Sequence, residues 1–299
     1  MTAEKIVLIA LQVTMFVSVI ALGFKATLAE PFFLFRRPGL LLRTFLALYV
    51  VVPVVTGVVV AVVPLPIGIK VGLILLAISS VLTTSPHKML GLGANPAYVF
   101  ALLTSMSLLA VITVPLSLAI LTALPLAHDA SVPPFEVAKL VALTFLLPLV
   151  VGTAIHRVVP RFAERIGDSM AAGAGKALLA ILFALLALNF GGVKEVTLLS
   201  FMVIVGLTVF ALVAGHLLGG PAFGDRAALA IAAAERHTGM AALIAGINFP
   251  QAKGTIVVIV FYKIATMLVT IPYMKWCKHQ IASQSVSPGI EFHPAETNQ

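Results

Sequence analysis

The sequence predicts an all-α membrane protein of about nine transmembrane helices, arranged as inverted repeats with two broken helices. Three observations lead there. Apolar residues make up 61% of the chain and charged residues 10%, against roughly half and a quarter in soluble domains; the mean hydropathy is +1.13. Apolar runs of roughly 18 residues or more recur along the whole chain, each long enough for a hydrocarbon core of about 30 Å. Two of these runs turn polar at matching places in their middles. Helices close their own backbone hydrogen bonds, as lipid requires, and the Leu-, Val- and Ala-rich runs lack the period-2 alternation of a membrane barrel.

The expected spans are 5–24, 40–63, 67–90, 95–124, 135–157, 174–190, 196–219, 225–249 and 254–277. Residues 1–278 form one transmembrane domain, its first repeat about 5–124 and its second about 135–278. The polar tail, 279–299, is expected to be cytoplasmic and disordered. Basic residues gather in the 25–43 connection (Lys25, Arg36, Arg37, Arg43), in the 157–176 connection (Arg157, Arg161, Arg165, Lys176) and at Lys275 and Lys278. An even number of spans separates these segments, and the 125–134 connection on the opposite side carries Asp129 with no Lys or Arg. The positive-inside rule therefore puts the N-terminus outside and the C-terminus in the cytoplasm of a bacterial inner membrane. The first span, with Lys5 before it and Ala26 to Ala29 after it, has the outline of a signal peptide, but Glu4 spoils the positive n-region.

The third span starts apolar and then reads Ser79-Ser80-Val81-Leu82-Thr83-Thr84-Ser85-Pro86-His87-Lys88. The eighth carries Glu235-Arg236-His237-Thr238-Gly239 in its middle. Ser79-Ser80 follows Lys70 at the spacing at which Glu235-Arg236 follows Arg226. The two spans run in opposite directions, and paired interrupted helices are the sequence pointer to a transporter binding site.

An ionised group at the bilayer centre costs at least about 2.5–3.5 kcal/mol, so intramembrane charges mark pathways or pairs. Neighbours on a regular helix point about 100° apart, so Glu235 and Arg236 call for separate partners or a break. A break exposes amides that, with Arg236, suit a carboxylate or sulfonate; a structural ion pair is the plain alternative. Arg236, His237, Thr238, Glu235, Lys263 and Thr84 are the candidate substrate-binding residues. Lys263, deep in the last span, is an expected partner of Glu235, which leaves Arg236 for an anion; a lysine reaching for headgroups is its plain reading. Thr83, Ser85 and Glu235 are the candidate ligands of a sodium ion, a hard cation that takes oxygen donors; a helix end at Ser-Pro explains the same residues. Lys88 is expected at the interface, and His216 reads as a buried hydrogen-bonding histidine rather than a proton relay.

Other classes fit poorly. The net charge of +8 sits mostly in loops and forms no nucleic-acid module. The single cysteine, Cys277, can form neither an internal disulfide nor a metal cage. HExxH, GxSxG and Walker A motifs and paired intramembrane aspartates are absent, so neither an enzyme nor an ATP-driven pump is expected.

The chain resembles the bile acid:sodium symporter family, in particular its bacterial members of unassigned substrate. The stretch 15–24 followed by Phe35-Arg36-Arg37-Pro38 is similar to the family's first-span glycine segment and basic loop. Pro64-Leu65-Pro66 through Gly72 to Thr83 and Ser85 is similar to the entry into its first crossover helix. Asn95 and Pro115 are spaced like the residues flanking the next helix; Ile155-His156-Arg157 and the stretch 215–219 resemble the ends of the fifth and seventh spans here. His237-Thr238-Gly239 stands where the family has Asn-Ser-Gly. The resemblance runs from about residue 5 to 278, in the nine-span form, and turns the first span from a signal peptide into a retained helix. It implies sodium-coupled uptake of organic anions by alternating access. It also exposes departures. Pro86 stands at the Asn of the family's Ser-Asn sodium pair, and Val99 and Leu103 at its Ser and Thr ligands. Ala232 stands at its glutamate and Arg236 at its glutamine, with Glu235 three positions late. The expected function is thus secondary transport of a small organic anion, with sodium as the implied ion at degraded sites. Sodium-independent or proton-linked carriage, a passive channel and a membrane sensor are the alternatives.

Overall fold

The computed structural model describes residues 3–25, 30–81, 86–123, 134–249 and 253–285. Within them the protein is helical throughout, apart from the short extended segments described below. Among the described residues seven helices are long and apolar enough to cross a membrane, which makes this an integral membrane protein.

The chain begins with α1 (Ala3–Gly23) and a short α2 (Glu30–Phe35). Helix α3 (Pro38–Phe45) passes through a π-helical turn at Leu46–Val51 into α4 (Val52–Val62). A second such turn, Ala142–Leu146, joins α8 (Pro134–Val141) to α9 (Leu147–Val158). A proline follows each turn, Pro53 and Pro148, just inside the next helix. With no N–H to give, each proline frees a carbonyl upstream, and the wider turn accommodates the defect.

Between these lie α5 (Ile67–Ile78), α6 (Pro86–Leu90) and α7 (Pro96–Ala123). After them come α10 (Pro160–Leu188), a 3₁₀ turn at Phe190–Glu195, α11 (Leu198–Leu218), α12 (Phe223–Ala234), α13 (Thr238–Asn248) and α14 (Lys253–Ser285). Two differences from the sequence reading have simple causes. Helix α10 starts at Pro160, not near 174, because Pro160 supplies a first-turn φ and a polar stretch outside lipid needs no apolar face to stay helical. Helix α14 runs on to Ser285, past the apolar stretch that ends near 277. Hydropathy marks where lipid ends, not where the helix ends.

Burial separates an inner layer from an outer one. In α7 and α14, 61% and 67% of the spanning window is buried, against 22% in α10. Helix α1 packs on α9 and α10. It meets α9 so closely that a Cβ on Gly152 would lie 2.5 Å from the Ile20 carbonyl oxygen. Helix α5 packs on α14, and a Cβ on Gly72 would come 2.1 Å from Val258 Cγ1. Both contacts need glycine, because the helices approach closer than any side chain allows. Cys277, on α14, is fully buried.

Candidate functional site

The two interrupted segments meet. Helix α5 stops at Ile78 and α12 at Ala234, each 12 residues long. The next residues, Ser79 and Glu235, leave the helical region with ψ of 155° and 78°. Beyond these ends, Val81 and Arg236 form an antiparallel backbone bridge, and the His237 N–H donates to the Ser80 carbonyl at 2.9 Å. The breaks therefore cross face to face, buried in the protein. Arg236 and His237 are each 1% exposed and Thr238 0%.

A broken helix leaves orphan carbonyls at one end and orphan amides at the other. Here side chains take them up. At the end of α5, Ser79 Oγ donates to the Leu76 carbonyl at 2.7 Å. Arg236 Nε donates to the same carbonyl at 3.2 Å, and Nη2 to that of Ala77. The guanidinium thus sits on the negative end of a helix dipole, where a cation is favoured. At the end of α12 the Tyr262 hydroxyl donates to the Ala234 carbonyl at 2.8 Å. At the start of α13, His237 Nδ1 accepts from the Met240 N–H at 3.3 Å. That acceptor role assigns the neutral ring's hydrogen to Nε2. The same ring meets Phe145, from the π-turn before α9, edge-on at 5.1 Å between centroids.

Among the described residues, several buried polar atoms at the crossing and on α7 have no hydrogen-bond partner. They are Arg236 Nη1, His237 Nε2 and Thr238 Oγ1, with Thr104 Oγ1, Ser105 Oγ and Ser107 Oγ on α7. Buried polar groups are almost always satisfied, so this concentration singles out the crossing as the candidate site.

The charges pair differently from the sequence reading. Glu235, 1% exposed, forms its ion pair with Lys88 of α6. Lys88 is therefore not simply interfacial; its side chain is 38% exposed, yet its ammonium reaches the buried carboxylate. Among the described residues no ion pair involves Lys263, which is buried at 8% exposure and lies within electrostatic reach of both Glu235 and Lys88. Arg236 is not set free by a Glu235–Lys263 pair; two of its three nitrogens are held by α5, and Nη1 remains. Thr83, Thr84 and Ser85 lie outside the described residues. His216 is half-buried rather than buried, and it does hydrogen-bond: Nδ1 lies 2.7 Å from the Tyr273 hydroxyl, with Phe223 and Trp276 around the ring.

Sequence reasoning missed Lys88 as the partner of Glu235, Tyr262 as a helix cap, and the α7 hydroxyls. Only the last left a readable signal, three hydroxyl residues clustered at 104, 105 and 107. It also missed a cavity of about 810 Å³ lined by Arg37, Arg43, Asn95, Pro221 and Asp225. No residue of the crossing lines that cavity. The buried orphan atoms, not the open volume, mark the candidate site.

No curated protein matches the chain. The sequence profile of the Sodium Bile acid symporter family matches residues 8–196. That segment holds most of α1, all of α2 to α10 and the first break, and ends before α11, so the second break lies beyond it. The match covers more than half of the 299 residues, and the chain belongs to the sodium bile acid symporter family.

Proposed function

We propose that the protein is a secondary transporter that carries a small organic anion across the bilayer by alternating access. The observation that carries this reading is the face-to-face contact of two interrupted helices at Val81 and Arg236. Interrupted helices that meet inside a membrane protein expose oriented backbone groups where a polar solute is bound, and they need protein around them to exist at all. In this reading the seven long helices are joined by two composite spans, α5 with α6 and α12 with α13, making nine. The two half-helices of 12 residues that precede the breaks correspond across inverted repeats of about 5–124 and 135–278. The N-terminus faces outward and the basic connections face the cytoplasm of a bacterial inner membrane.

The substrate's carboxylate or sulfonate is bound by donors that lack partners among the described residues. His237 Nε2–H, the Thr238 hydroxyl and Arg236 Nη1 supply hydrogen bonds, and the N-terminus of α13 adds a positive dipole. Thr84 and Lys263 complete the binding set, Lys263 balancing charge beside Glu235. An anion fits because the two nitrogens at the crossing without a partner among the described residues, Arg236 Nη1 and His237 Nε2, are both donors, one of them on a charged group.

Counterflow into proteoliposomes tests the proposal. With a labelled steroid-like carboxylate or a small carboxylate, uptake is expected to saturate and to be driven by unlabelled anion inside. Flux that grows linearly with concentration and shows no exchange fits a channel and overturns the carrier.

A further inference from the structure

The family name implies a sodium ion, so the crossing has to be tested for one. Sodium is held by several oxygens. The carbonyls best placed to offer them, those of Leu76 and Ala77 at the end of α5, already accept from Arg236. The Ser80 carbonyl accepts from the His237 N–H, and that of Ala234 from Tyr262. Val99 and Leu103, at positions where the resemblance implies hydroxyl ligands, are apolar and 0% exposed. Pro86, the first residue of α6, has no side-chain oxygen where the resemblance implies an asparagine. A mobile cation would also meet a fixed positive charge at contact range, which disfavours it. The Glu235 carboxylate is paired with Lys88, so among the described residues the oxygens at the crossing do not fit the ion.

A surface arginine that caps a helix end is commonplace. Arg236 differs in three respects. It is buried, it comes from the opposite break, and it reaches back 160 and 159 residues to the two carbonyls. It ties the second break to the first through positive charge, which is the work of a bound metal ion at such a junction.

We propose that Arg236 is a tethered cation standing in for the coupling sodium, so that the protein assembles its crossing and works without sodium. This rests on the carrier reading above and deepens it by naming the coupling. Because the charge never leaves, sodium binding energy cannot drive the cycle; the substrate gradient, or another ion elsewhere, must.

The test is thermal unfolding of the full chain in detergent, in sodium chloride and in choline chloride at equal ionic strength. Wild type is expected to unfold at the same temperature in both. Arg236→Gln is expected to unfold roughly 5–10 °C lower in choline, since it strips a charge from buried carbonyls, and to regain part of that loss in sodium, saturably. Arg236→Lys is expected to fall between them and to ignore sodium. A saturable, sodium-specific rise for wild type overturns the proposal. So does an Arg236→Gln protein that keeps the wild-type midpoint, or one that is destabilised and indifferent to sodium. If Arg236→Gln yields no folded protein, the wild-type titration decides alone. No transported substrate is needed, so failure here leaves the carrier reading standing, and failed counterflow leaves this result standing.

Discussion

The two breaks share a scaffold and differ in chemistry. Each follows a half-helix of 12 residues, with a glycine in second place, Gly68 in α5 and Gly224 in α12. At the first break the described side chains are hydroxyls, Ser79 and Ser80; at the second they are Glu235, Arg236 and His237. The charged break serves the neutral one: Arg236 takes the α5 carbonyls and the His237 N–H takes Ser80. One interaction runs the other way, from Lys88 of α6 to Glu235. Half-helices of equal length thus precede both breaks, and unlike side chains decide which break supplies positive charge. The ties run between halves, so neither break is satisfied without the other.

The comparison breaks most severely at Lys88. Lys88→Met leaves Glu235 buried without that ammonium. The expected loss is about 2–4 kcal/mol, below the fully buried range because the lysine is partly solvated. Denaturation in detergent should show it, and adding Glu235→Gln should recover most of the loss. Additive losses would mean the pair is not coupled. Next come the paired glycines. A Cβ on Gly224 would lie 2.1 Å from the Gly93 carbonyl oxygen, a backbone atom that cannot swing away. On Gly68 the nearest atom is Glu195 Oε2 at 2.8 Å, the end of a flexible side chain. Gly224→Ala is therefore expected to cost about 1–3 kcal/mol as overpacking. Gly68→Ala should change stability by less than about 1 kcal/mol, since alanine's better helix propensity offsets the adjustment. Equal effects would show that the halves pack alike. The smallest effect is expected at Tyr262→Phe, which removes one hydrogen bond from the end of α12 for about 1 kcal/mol. Because α5 is capped by a charge and α12 by a hydroxyl, the Tyr262 variant should fall well short of Arg236→Gln.

Much of the fold was legible because lipid makes composition speak. The ends of α1, α4, α7 and α9 fall within a few residues of where apolar character stops, and the breaks fall at Ser79 and Glu235, where polar residues interrupt the third and eighth runs. The start of α10 was not legible, since Arg161, Glu164 and Arg165 carry a loop's composition on a helix. The site was legible as a place more than as a set of bonds. Charge in the middle of an apolar run announces that Glu235 and Arg236 need partners. Which partners depends on the angle at which two segments 155 residues apart cross, as Val81 and Arg236 do, and one chain's sequence does not encode that locally. Lys88 reads as interfacial by position along its helix, and only the fold shows that α6 lies against α12.

The lone thiol has a practical consequence. Cys277 is the sole cysteine in the sequence and is shut inside the helix bundle, so maleimides and spin labels should pass it by while the protein is folded. A second cysteine placed at an exposed helix tip would then be the principal reactive handle, letting distances between labelled pairs report on motion without first rebuilding the chain.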